Sequence, residues 1–154
     1  MTMTNYWQEF IALGGSLVMI PAAMAIFIWL SAGRAWGMAW LWGLLFSVGL
    51  AIVAATQIAF IGWGVKISAI DFQGFSGQSM RTSAAMPLLF YLTLQNASRS
   101  LRISGVLFGI LFAAMMGFAV SAHDTHSASE AIGGCALGYA ISLGFIALSR
   151  PMKQ

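Results

Sequence analysis

The sequence predicts an all-α fold: a polytopic membrane helix bundle of about five transmembrane helices, with the N-terminus outside. Three observations point there. Hydrophobic residues make up 60% of the 154 positions, the whole chain holds only seven basic and four acidic residues, and the apolar stretches come in runs of spanning length. In an average soluble domain about a quarter of the residues are charged; here the share is 7%. Lipid is therefore the expected solvent for most of the exterior. Six Trp and eleven Phe suit that medium, because aromatic rings settle at the headgroup boundary. The net charge of +3 acts through its placement rather than its sum, and no nucleic-acid partner is expected.

A span needs roughly 20 apolar residues, fewer where neighbours shield it from lipid. The first run extends from about Phe10 to Leu30, with Pro21 as a kink, and the second from about Trp36 to Trp63. After a polar interval from Lys66 to Arg81, the third covers Thr82 to about Gln95 and reaches spanning length when started from Gly77. The fourth is Ile103 to about Val120, the fifth Ala128 to Leu148. No soluble linker or repeat separates them, so residues 1–154 read as one membrane domain. No removable signal sequence is expected, since Met1 to Phe10 holds no Lys or Arg before the first apolar run. Cys135 lies in an apolar run and reads as packing.

Charge orients the bundle. With the N-terminus outside, Arg34, Arg99, Arg102, Arg150 and Lys153 all fall on the cytoplasmic side, five of the seven basic residues, in short loops where the positive-inside bias operates. Glu9, Asp71, Asp124 and Glu130 then lie at the opposite face. Lys66 and Arg81 depart from the pattern and flank the outer polar interval. The other outer segment, Ser121 to Glu130, holds both histidines, His123 and His126. The third and fourth helices carry the chain in and back out, so the two polar segments end on one face and can meet. Ionisable groups at the boundary of an otherwise bare bundle mark a site by default; the alternative is a solvated rim.

The run Gly74-Phe75-Ser76-Gly77-Gln78-Ser79-Met80-Arg81 opens the third helix. Its glycines permit a sharp turn, after which the first helical N–H groups lack internal partners and suit an anion such as phosphate. Arg81 adds a fork of donors. The plain reading is a glycine turn with Ser76 or Ser79 as N-cap. In the second segment, Glu130 stands one helical turn after His126 and shares its face. There it either orients the imidazole, leaving the other ring nitrogen nucleophilic, or closes a capping box over Ser127-Ala128-Ser129-Glu130. A metal site built from His123, His126, Asp124 and Glu130 matches no strong ligand spacing. No metal or other cofactor is expected.

Together these segments resemble the type 2 phosphatidic acid phosphatase superfamily of membrane lipid phosphatases and vanadium haloperoxidases, over roughly Lys66 to Leu148. That family carries Lys-x6-Arg-Pro, then Pro-Ser-Gly-His opening a helix, then Ser-Arg-x5-His-x3-Asp opening a later one. Phe75-Ser76-Gly77-Gln78 looks like the second element, and His126-Ser127-Ala128-Ser129-Glu130 like the end of the third. Ala131-Ile132-Gly133-Gly134-Cys135-Ala136-Leu137-Gly138 is similar to the small-residue helix that follows.

The resemblance implies His126 as the nucleophile that takes the phosphoryl group and Glu130 as its orienting acid. Ser76 and Gly77 would cradle phosphate, and Lys66 would be the Lys of the first element. Gln78 stands where the family has its proton-donating histidine, Ala119 and Val120 stand at the Ser-Arg positions, and Gln73 and Gly74 replace Arg-Pro. His123 is then the candidate replacement acid and Arg81 the candidate phosphate-binding arginine.

The function so implied is hydrolysis of a lipid phosphate or diphosphate at the outer face of a cytoplasmic (inner) membrane. The alternatives are an inactive relative that binds a phosphate headgroup or serves as an assembly subunit, and an unrelated metal-binding or transport bundle. Gly133, Gly134, Gly138 and Gly144 permit close packing, with a helix of this chain or with another subunit in a homo- or hetero-oligomer.

Overall fold

A computed structural model describes residues 3–13, 16–63, 76–122 and 128–149. All regular structure among them is helical, in six elements: α1 (Met3–Leu13), α2 (Ser16–Ala32), α3 (Trp36–Trp63), α4 (Gly77–Thr93), α5 (Arg99–Ala122) and α6 (Ala128–Ser149). Within α3, α5 and α6 lie three segments long and apolar enough to cross a membrane: Trp36–Phe60, Arg99–Ala122 and Ser129–Ser149. Val18–Ala32 in α2 is apolar but shorter. The expected run from Phe10 is shared between α1 and α2, and Pro21 sits inside α2. Pro21 has no N–H to donate, so the α2 ladder lacks its bond to the backbone carbonyl of Leu17.

The large apolar residues on the outside explain the composition. Leu44 is 63% exposed, Trp40 and Ile132 69%, and Leu111 and Phe118 lie between. An apolar exterior on this scale marks contact with a membrane or another protein rather than with water.

Side-chain contacts fix the directions of the helices. Trp42 Nε1–H donates to Ala23 O at 3.0 Å, which sets α3 antiparallel to α2 together with the edge-to-face pair Phe27–Trp40. Trp42 also meets Phe145 of α6 edge-on, at 6.1 Å between centroids. Gly109 of α5 faces Pro87 of α4, Phe108 faces Phe90, and Gly105 faces Leu94. Tyr139 of α6 donates its hydroxyl to Ile110 O of α5 at 2.6 Å. Running from α2, the helices therefore alternate in direction, with α4 and α6 parallel and both starting at the same end.

At the other end are the α2–α3 and α4–α5 turns, with Arg34, Arg99 and Arg102. Helix α1 joins the bundle through α5, where Phe10 packs on Phe112 with ring centroids 5.4 Å apart.

Helix α4 is the hub, packed against α5 and α6 along its length and touching α2 and α3 as well. That position explains why its sequence is less apolar than those of α3, α5 and α6. Gly77, Ser79, Thr82, Ser83, Ala84 and Ala85 are buried in protein rather than in lipid. Two of the hydroxyls find helical carbonyls: Thr82 Oγ1 bonds Gln78 O at 2.8 Å and Ser83 Oγ bonds Ser79 O at 2.6 Å.

Lipid tails are as apolar as leucine, so helices associate in a bilayer through close contact rather than through the hydrophobic effect. Glycines supply that closeness. A Cβ on Gly109 would lie 2.7 Å from Pro87 Cα, and one on Gly138 would strike Ser83 Oγ and Met80 O.

Candidate functional site

Ser76 precedes the first turn of α4 in extended conformation (φ −69°, ψ 116°), and its Oγ accepts from Ser79 N–H at 3.3 Å. The hydroxyl thus caps the helix, so the plain reading of the Ser-Gly turn is realised at Ser76 rather than at Ser79. The backbone N–H of Ser76 turns the other way and donates to Glu130 O, in the first turn of α6, at 3.2 Å. The two polar segments expected to meet are joined by this bond.

The approach depends on Gly134, where a Cβ would lie 2.5 Å from Ser76 O and 3.1 Å from Ser79 Cβ. Ser76 is fully buried and Glu130 is 6% exposed.

Arg81 folds back along the start of α4. A Cβ on Gly77 would sit 2.9 Å from Arg81 Nη1 and 3.6 Å from Val53 Cγ1 of α3. Gly77 therefore makes room for the guanidinium above the first helical turn. Arg81 Nε is buried without a hydrogen-bond partner among the described residues. A guanidinium N–H in that condition is costly to leave unmet, and a phosphate oxygen is the acceptor its fork suits best. Gln78 lies half-buried on the same turn.

Ser76, Gly77, Gln78, Arg81 and Glu130 are thus gathered at one end of the bundle. Lys66, His123 and His126 lie outside the described residues. Both readings of Glu130 involve such a residue, His126 for the orienting role and Ser127 for the capping box. Three of the four ligands in the metal alternative, His123, Asp124 and His126, also fall outside.

Ala119 and Val120, which the resemblance would set at the Ser-Arg positions, are fully buried with Met116, against Phe10 and Phe112. An arginine has no room at position 120, and among the described residues Arg81 is the cation at this end.

An apolar groove of about 450 Å³, with no counterpart in the motifs, runs between α5 and α6 from beside Ala131 and Ser121 toward Tyr139, past Gly117 and Cys135. Its sequence signal is the spacing of small residues, Ala114, Gly117 and Ser121 on α5 and Ala131 and Cys135 on α6, which lines up one face of each helix. Cys135 is held in the wall, its thiol 3.7 Å from Ala113 O.

No protein-family model and no solved structure matches the chain. It is 39% identical over 145 residues to a protein of Klebsiella pneumoniae described as an uncharacterized 22.5 kDa protein in cps region. The match covers 94% of this chain and 69% of that protein. The chain belongs to that protein's family. Because the match takes in nearly the whole chain, the family of the Klebsiella 22.5 kDa protein is shared along the bundle and not through one short motif.

Proposed function

We propose that this chain is a lipid phosphatase-like protein of a cytoplasmic membrane, acting on a lipid phosphate or diphosphate at the outer face through His126. The single observation that carries the reading is the Ser76 N–H to Glu130 O bond of 3.2 Å. It joins the start of α4, which bears the Ser-Gly turn, to the start of α6, four positions after His126. Arg81 lies at the same end, and its buried Nε–H has no acceptor among the described residues. The α5–α6 groove opens beside Ala131 and would lodge an apolar tail. In this reading α2 to α6 are the five spans and the N-terminus is outside. Helix α4 would then cross as well, returning the chain between α3 and α5, which run in the same direction.

In the first step, a nitrogen of His126 forms a bond to phosphorus as the bond to the leaving oxygen breaks; Arg81 and the backbone N–H of Gly77 hold the other phosphate oxygens. Water then displaces phosphate from the imidazole. Chemistry of this type is largely positioning and charge neutralisation. Gln78 cannot deliver a proton to the departing oxygen. A diphosphate, whose leaving group is already a stable phosphate anion, is therefore the better substrate than an alkyl monoester.

A second reading has a specific observation behind it. With Gln78 at the acid's position, the chain would bind a phosphate headgroup without turnover.

Phosphate release from a lipid diphosphate by purified protein in detergent separates the two readings. The phosphatase reading expects release that His126→Ala abolishes and Gln78→His raises, most clearly on a phosphate monoester. Release that survives His126→Ala removes the mechanism. Protein that stays inert even as Gln78→His, yet retains the lipid diphosphate, supports the binding reading. Position 120 is the wrong place to restore an arginine, since Val120→Arg would bury an unpaired cation beside Met116 and Phe10.

A further inference from the structure

At the end opposite Ser76, α4, α5 and α6 leave an apolar pocket of about 190 Å³. Tyr91, Ile103, Val106, Leu107 and Ile146 line it, with Arg102 on the side of the α4–α5 turn. Ile103 and Leu107 are about half exposed, so the pocket opens on the apolar exterior. Arg102 is held in place. Its Nη1 donates to Gln95 O at 3.1 Å and its Cζ lies 5.9 Å from the centroid of the Tyr91 ring. One bond engages one of the five N–H groups of a guanidinium. Arg99, exposed one turn earlier, shares its face of α5.

No carboxylate stands near this pair among the described residues. Glu130 is at the far end, Glu9 adjoins Phe10 of α1, which packs on Phe112, ten residues along α5 from Arg102, and Asp71 and Asp124 lie outside the described residues.

We propose that this pocket binds an anionic phospholipid of the surrounding bilayer, its phosphate on Arg102 and Arg99 and the upper part of one acyl chain along Ile103 and Leu107. Two arginines without a neighbouring acid select a net negative headgroup. The apolar lining gives a hydrated ion nothing, and a pocket of this size is too narrow for a partner helix about 10 Å across. The inference rests on the membrane reading of α3, α5 and α6 and is independent of any phosphatase activity.

The test mixes detergent-purified protein with phosphatidylglycerol or with phosphatidylcholine of the same chains and counts retained lipids by native mass spectrometry. A basic residue near an anionic surface accounts for about a fivefold preference, so wild type should favour phosphatidylglycerol by on the order of tenfold or more. Arg102→Gln should cut that preference about fivefold, and Arg102→Lys should keep most of it. Arg99 is exposed, so Arg99→Gln keeps the question open if Arg102→Gln disturbs the turn. Leu107→Trp, which fills the groove and spares the charges, should lower retention of both lipids. Equal retention of the two lipids by wild type would overturn the proposal, as would a preference untouched by both glutamine substitutions. Glycerol phosphate, the headgroup without a tail, should not displace the lipid; effective competition would exclude the acyl groove.

Discussion

Arg34 sits between α2 and α3 at φ 59°, in the left-handed region where helices commonly end on glycine. Its N–H donates to Ser31 O at 3.0 Å and the next N–H, of Ala35, reaches back to Leu30 O at 2.9 Å. These are the two bonds of a Schellman ending, with arginine at the position that usually has no side chain. A Cβ in this conformation costs roughly 1 kcal/mol. Arg34→Gly should therefore raise the unfolding free energy by about 1 kcal/mol in a mixed-micelle denaturation series. A loss of stability instead would mean that the Arg34 side chain makes a compensating contact. The sequence explains the retention of arginine here on other grounds, since Arg34 is one of the charges expected to hold this turn on the cytoplasmic side. Backbone comfort and membrane orientation pull in opposite directions at this residue.

Among the elements, the parallel pair α4 and α6 depends most on a few missing side chains. Gly138 lies over the α4 backbone, where an added Cβ would sit 2.9 Å from Ala84 N and strike Met80 O and Ser83 Oγ. Two of those atoms are main chain and cannot step aside. Gly138→Ala should cost about 2 kcal/mol, the usual scale for overpacking. Gly144, six residues further along α6, has nothing within 4 Å of an added Cβ. Gly144→Ala should be neutral or stabilising by up to about 1 kcal/mol, through the helix propensity alone. The same denaturation series measures both, and equal effects would mean that α4 and α6 do not pack as described.

The sequence presents the four glycines of α6 as equivalent candidates for packing. Distinguishing Gly138 from Gly144 requires knowing which face α6 turns to α4. The capping hydroxyl is likewise open in the sequence between Ser76 and Ser79, because either serine can cap and only the start of the helix decides.

For the molecule as a whole, one end collects Arg34, Arg99 and Arg102, and the other collects Ser76, Arg81 and Glu130. The proposed orientation puts the second end outside. In a Cys135→Ala background, Ala122→Cys should react with a membrane-impermeant maleimide on intact cells, and Ala97→Cys only after permeabilisation. The reverse pattern would turn the candidate site toward the cytoplasm and remove an outer-face substrate.

Much of this plan is legible in one dimension. Apolar runs of spanning length and scarcity of charge are properties of composition and order, and a bilayer imposes them on any chain that lives in it. The boundaries of α3, α5 and α6 follow the apolar runs within a few residues for that reason. The same holds for the pairing of the two polar segments, because alternate connections of an antiparallel bundle share a face. Helix α4 is harder to read. A helix screened from lipid by four neighbours is free of the bilayer's demand for apolar side chains, so its serines and threonines shorten the apolar run, which reaches spanning length only when started from Gly77. Three-dimensional packing alone decided that Ser76 bonds Glu130, that Arg81 turns back over Gly77, and that grooves open between α5 and α6 and beside Arg102. Each of these depends on helix rotation and approach distance, set by contacts between residues tens of positions apart; the small-residue spacing on α5 and α6 marks a face of each helix but not that the two faces meet.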